Sequence, residues 1–98
     1  MKFDIVWSER ALRRLNAIRV YIAQDKPIAA ESLARRIVAI AEALRRHPNL
    51  GRLGAREGLR ELIVAGTPYV VVYRIRRRRV VIATIWHAAQ RKPKISKY

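Results

Sequence analysis

The sequence predicts an α+β fold, β-α-α-β-β-β in chain order, with a helical hairpin packed on an antiparallel sheet. Three observations carry this. Two segments of helical period follow one another with only a short link around Asp25 between them. Three apolar, β-branched runs then come in succession: Gly58-Leu59-Arg60-Glu61-Leu62-Ile63-Val64, Pro68-Tyr69-Val70-Val71-Val72-Tyr73-Arg74-Ile75, and Val80-Val81-Ile82-Ala83-Thr84-Ile85-Trp86-His87. One alternating segment precedes the helices. A helical stripe and a sheet face must each be buried against another element, and laying the hairpin on the sheet does this for both.

In the first segment, Phe3, Ile5 and Trp7 alternate with Lys2, Asp4 and Val6, the period of a strand with one strongly apolar face. Ser8 offers an N-cap hydroxyl. Leu12, Leu15, Ile18 and Ile22 follow at spacings of three, three and four, with Arg10, Arg13, Arg14 and Arg19 largely outside that stripe. Gln24-Asp25-Lys26-Pro27 ends the helix, because the residue before proline disfavours helical backbone.

The second helix is expected from Pro27, which suits a first-turn position, to about Arg46. Leu33, Ile37, Ile40 and Leu44 form its stripe, and Ala29, Ala30, Ala34, Ala39, Ala41 and Ala43 allow close packing. His47-Pro48-Asn49-Leu50-Gly51 terminates it, and residues 51–58, with three glycines, read as a loop. Gly66-Thr67-Pro68 turns the first hairpin. The second turns within Arg76-Arg77-Arg78-Arg79, where the positive-φ residues that a two-residue turn prefers are missing and four cations repel one another. The chain reads as one domain over residues 1–98, with no repeat, and its basic tail from about 91 to 98 is expected to be mobile unless docked.

The net charge is +15 over 98 residues, and it is uneven. Residues 1–50 hold ten Lys/Arg against five Asp/Glu; residues 51–98 hold twelve against two. Such a chain is attracted to polyanions: nucleic acid, a nucleic-acid-bound enzyme, or an acidic protein. With no cysteine, disulfides and thiolate sites are excluded. His47 and His87 are too few and too far apart for a metal site, so neither metal nor cofactor is expected. No apolar stretch approaches the roughly 20 residues of a membrane helix, and the start Met1-Lys2-Phe3-Asp4 lacks a signal peptide's apolar core. The expected location is the cytoplasm, with no membrane partner.

Several residues have both a structural and a functional reading. Arg76, Arg77, Arg78 and Arg79 are either a solvated hairpin tip or a contact for a polyanion. His87 either closes a strand or serves as a general acid or base; in the second case it needs an arginine near it, from Arg60, Arg74 or Arg91. Arg60 with Glu61 suits an ion pair. The glycines at 51, 54, 58 and 66 form no phosphate-cradling loop, and neither a serine–histidine–carboxylate set nor a pair of carboxylates for glycoside chemistry is visible.

Taken together, Trp7-Ser8-Glu9-Arg10-Ala11, Pro27 with Ala29-Ala30, Pro48-Asn49-Leu50-Gly51-Arg52, Gly58-Leu59-Arg60-Glu61-Leu62, Pro68-Tyr69, Val72-Tyr73-Arg74 and His87 resemble, in order and spacing, the RelE/ParE superfamily of type II toxin–antitoxin toxins. The resemblance covers roughly residues 3–93. It implies one of two activities. RelE-like members are ribosome-dependent mRNA interferases, endoribonucleases whose partners are the ribosome and mRNA. ParE-like members, which include plasmid stabilization proteins, poison DNA gyrase without accepted catalytic residues. The ribonuclease branch carries an arginine before a Leu-Val-Tyr triplet; with Val71-Val72-Tyr73 on that triplet, Val70 stands in its place. The lysines of the preceding strand fall near Glu61 and Ile63, and the terminal arginine near Gln90 or Arg91. The match is therefore ParE-like: a DNA gyrase inhibitor neutralised by a cognate acidic antitoxin, with Arg76, Arg77, Arg78, Arg79, His87, Arg91 and Lys92 as the target-binding residues suggested by charge and exposure. On the RelE-like alternative, Arg60, Arg74, His87 and Arg91 would be catalytic. A second alternative is a degenerate, non-toxic module that binds an antitoxin or nucleic acid.

Overall fold

The computed structural model describes residues 2–54 and 56–89. Strand β1 (Asp4–Trp7) leads into helices α1 (Glu9–Ala23) and α2 (Pro27–Ala43), followed by β2 (Arg52–Leu53), β3 (Arg60–Ile63), β4 (Tyr69–Arg76) and β5 (Arg79–His87). The α+β class and the hairpin-on-sheet layering are as expected. The sheet order is β1-β5-β4-β3-β2. Two features depart from a purely antiparallel sheet of four strands. β1 lies parallel to β5, Ile5 opposite Val80 and Trp7 opposite Ile82. The expected loop at 51–58 contributes the two-residue edge strand β2, antiparallel to β3.

Ser8 explains how β1 gives way to α1. Its backbone is extended, and its Oγ accepts the Ala11 N–H at 3.0 Å, satisfying one of the helix's orphan donors. The same hydroxyl donates to Ala83 O at 2.9 Å, and the Ser8 N–H donates to Ile82 O at 3.0 Å. These carbonyls flank a β-bulge in β5: Val72 pairs with Thr84 but Tyr73 pairs with Ile82, leaving Ala83 over. The extra residue keeps both Ile82 and Ile85, three apart, on the helix-facing side.

Between the helices, Pro27 opens α2 after Lys26, whose side chain makes no cap bond. Proline tolerates this because its missing N–H is one of the donors a first turn leaves unpaired. α2 ends at Ala43, three residues before the expected Arg46, and residues 44–46 continue it as tight turns, with Arg46 N donating to Ala43 O.

The helix-facing core joins Ala11, Ile18, Ile37, Ala41 and Leu44 to Val71, Tyr73, Val80, Ile82 and Ile85. Leu33 and Ile40 flank it, so the α2 stripe is core as expected. In α1 the stripe needs correcting: Leu12 is 52% exposed, and Ala11 takes its place in the core. Two successive steps of three residues at about 100° each turn Leu12 about 120° away from Ile18. Ala11, seven residues before Ile18, lies only about 20° from it.

Tyr73 anchors the loop after α2. It is fully buried, its OH donates to Pro48 O at 2.6 Å and accepts the Gly51 N–H at 2.8 Å. Gly51 sits so close that a Cβ there would lie 2.7 Å from the Tyr73 ring, which is why glycine occupies it. Arg60 Nη1 donates to Gly51 O at 2.7 Å, completing the clamp.

Candidate functional site

The two faces of the sheet have different chemistry. On the face away from the helices, the register places Glu61 beside Val72, Ile63 beside Val70, Val70 beside Trp86, and Val72 beside Thr84. Leu59, Val70, Val72 and Trp86 form a second buried cluster there. Glu61 is 4% exposed, and its Oε1 lies 3.4 Å from Arg52 Nη2. Toward the hairpin tip the same face turns cationic, with Arg74 opposite Val81 and Arg76 opposite Arg79.

The tip is the two-residue turn Arg77-Arg78. Arg77 has φ 57°, the only positive φ of a non-glycine residue among the described residues. Left-handed backbone costs an ordinary residue about 1–2 kcal/mol. An arginine therefore stands where glycine would be at ease, as the sequence suggested. Arg76, Arg77, Arg78 and Arg79 are all exposed. Asp4, at the start of β1, pairs in register with Arg79.

His87 is at the other end of β5, about 25 Å from Arg79 at roughly 3.3 Å per strand residue. The suggested target-binding residues thus divide between two ends of the sheet. Arg91 and Lys92 lie outside the described residues. The residues named for a ribonuclease do not converge either. Arg60 shares the helix-facing side with Tyr73 and is held by Gly51, whereas Arg74 points from the opposite side beside Val81. His87 pairs with Tyr69, four residues along β4 from Tyr73, or about 13 Å. Arg60 and Glu61 point to opposite faces of the sheet, as neighbours on a strand do, and Arg52 meets Glu61.

The sequence reading missed a cleft beside His87. Arg14, Ala17, Ile18 and Tyr21 of α1 face Tyr69 and His87 across a cavity of about 470 Å³. Arg14 Nε donates to Ile85 O at 3.1 Å, so this arginine borders the core stripe. The rings of Tyr69 and His87 meet edge to face, centroids 5.3 Å apart. His87 Nδ1 accepts the Ala89 N–H at 3.2 Å, which assigns the proton of the neutral ring to Nε2. The spacing 14, 17, 18, 21 is a helical face readable in the sequence; the partners Tyr69 and His87 are supplied by the fold.

Comparison with known proteins agrees with this architecture. The family described as ParE toxin of the type II toxin–antitoxin system, parDE, matches residues 5–92. The chain is 44% identical over 91 residues to the putative toxin Y4kP of Sinorhizobium fredii, covering 93% of this chain and 94% of that one. It is 45% identical over 87 residues to toxin RelE2 of Caulobacter vibrioides, covering 89% and 97% respectively. Among solved structures, a chain of the chromosomal ParDE system of P. aeruginosa superposes with a TM-score of 0.80 at 21% identity, covering 88% of this chain and 96% of that one. A chain of the toxin–antitoxin complex RelBE2 of Mycobacterium tuberculosis superposes with a TM-score of 0.66 at 25% identity, covering 89% and 99%. The helical hairpin, the mixed sheet and a family match over nearly the whole chain agree: the protein belongs to the ParE toxin family of type II toxin–antitoxin systems, within the RelE/ParE superfamily.

Proposed function

We propose that this toxin is a poison of DNA gyrase, acting on the enzyme in the cytoplasm, trapping its cleaved-DNA intermediate and causing double-strand breaks, and that a cognate acidic antitoxin neutralises it. One observation carries the choice over messenger-RNA cleavage. Glu61, Ile63 and Val70, the positions where the ribonuclease branch has cations, lie on one face of the sheet. That face is paved with Val70, Val72, Leu59 and Trp86. A phosphorane needs positive donors aimed at its developing charge. Valine and isoleucine offer none, and a buried carboxylate has the wrong sign.

The antitoxin reading rests on charge and on uncovered apolar surface. Leu12, Val20, Ile28 and Val38 are exposed on the hairpin, and β1 and β2 are the sheet's edge strands. An acidic amphipathic helix on the hairpin and an added strand at an edge would cover both and offset the positive charge. No helix among the described residues is long and apolar enough to cross a membrane.

The test uses purified toxin with gyrase, ATP and plasmid DNA. Loss of supercoiling with accumulation of linear, cleaved plasmid is expected, and prior addition of the antitoxin should prevent both. Unchanged supercoiling at saturating toxin would refute the gyrase reading.

A further inference from the structure

The cleft between α1 and the open end of the β4–β5 hairpin has no part in the gyrase argument above, yet its chemistry is specific. Among the described residues, its polar lining is Arg14, Tyr21, Tyr69 and His87, with no acidic residue. Arg14 is held by its Nε bond to Ile85 O, so its position is fixed before any ligand arrives. A guanidinium is the group that meets a phosphate through a fork of donors. Tyr21 stands on the rim at 72% exposure, an aromatic face turned to water at the edge of an anion-attracting cavity. The volume, about 470 Å³, is within the range of small-ligand sites.

From these features we infer that the cleft binds one unpaired nucleotide of a single-stranded nucleic acid, Arg14 and the Nε2–H of His87 holding the phosphate and Tyr21 stacking on the base. A cation beside an exposed aromatic platform is the combination that binds single strands with little sequence preference. An acidic peptide would satisfy Arg14 as well, but it would leave the ring of Tyr21 without a flat partner. The cleft opens at the far end of the sheet from the arginine tip, so a strand bound here and a polyanion bound at the tip would occupy separate surfaces. The inference does not depend on gyrase, because it concerns binding of nucleic acid by the toxin alone.

The test measures binding of full-length toxin to a fluorescent oligothymidylate in near-physiological salt. Tyr21→Ala removes no charge, and the residue is exposed, so folding should survive. It should weaken binding about tenfold, as loss of one stacked base does, with the salt dependence unchanged, and Tyr21→Phe should restore binding. Arg14→Gln should weaken binding and lower the salt slope by about one unit. Arg35→Gln, an exposed charge on α2, is the control and should leave the Tyr21→Ala effect intact. Binding by Tyr21→Ala within about twofold of the parent, well short of a stacking loss, would overturn the inference. So would an effect of Tyr21→Ala on polyglutamate binding with none on the oligonucleotide, which would assign the cleft to an acidic peptide.

Discussion

At the scale of single residues, Tyr73 and Arg77 mark the two kinds of constraint in this chain. Tyr73 stabilises: its buried hydroxyl holds Pro48 and Gly51, and hence the approach to β2. Tyr73→Phe should cost about 1–3 kcal/mol in urea denaturation, because two buried backbone groups lose their partner. Burial also pushes the Tyr73 phenol above its ordinary value of 10.0, while the Gly51 N–H and Arg60 act the other way. The unfolded chain therefore releases this proton at lower pH than the folded one. The stabilisation is complete below the ordinary value and is lost as pH rises through the raised folded value. Stability measured across the alkaline range should fall, and Tyr73→Phe should flatten that part of the curve. Arg77 is the opposite case, a residue that strains its turn at φ 57°. Since only the first central residue has positive φ, glycine at 77 suits this turn better than the Asn-Gly pair of a turn with two such residues. Arg77→Gly should raise stability by about 0.5–1 kcal/mol, the relieved strain offset by glycine's greater freedom when unfolded. If the tip touches the target, growth inhibition should weaken in this more stable protein; undiminished toxicity would make the tip a solvated turn.

At the scale of elements, sequence periodicity was reliable where its steps alternate. Leu33, Ile37, Ile40 and Leu44 step by four, three and four, so the stripe stays on one side of α2, and Ile37 and Leu44 are fully buried. Leu12, Leu15 and Ile18 step by three and three, and the drift carries Leu12 into solvent. The two helices thus predict opposite mutational outcomes. Ile37→Ala should destabilise by about 2–5 kcal/mol. Leu12→Ala should change stability by under about 1 kcal/mol, as surface substitutions do. Chemical denaturation of both variants checks the contrast. Strand β2 was illegible because Arg52-Leu53 is too short to show a period, and only its pairing with Arg60 and Glu61 makes it a strand. The parallel pairing of β1 with β5 was illegible for a related reason: it joins residues some 75 apart, as the Ser8–Ala83 hydrogen bond does, and no local pattern records such a partner. The same limit hid the cleft. Its α1 face could be read from spacing, but Tyr69 and His87 reach it only because the β4–β5 register places them side by side.

At the scale of the whole molecule, the distribution of charge and apolar surface over the sheet governs the functional reading. The cations suggested by the sequence do not gather into one phosphate site. Arg76–Arg79 occupy one end of the sheet, His87 the other, and Arg60 and Arg74 opposite faces. Between them, the face that would need cations for RNA cleavage is filled by Val70, Val72, Leu59 and Trp86 with the carboxylate of Glu61. The sequence already placed Val70 against the expected arginine; the register adds that Ile63 and Glu61 share its face, so none of these three positions carries the expected charge. The most direct measurement gives one toxin preparation to two targets in parallel: gyrase acting on plasmid DNA, and ribosomes translating a defined messenger RNA. The account predicts linear, cleaved plasmid in the first and intact message in the second. Codon-dependent cuts in the ribosome-bound message, lost on Arg60→Ala or His87→Ala, with gyrase unaffected, would contradict it.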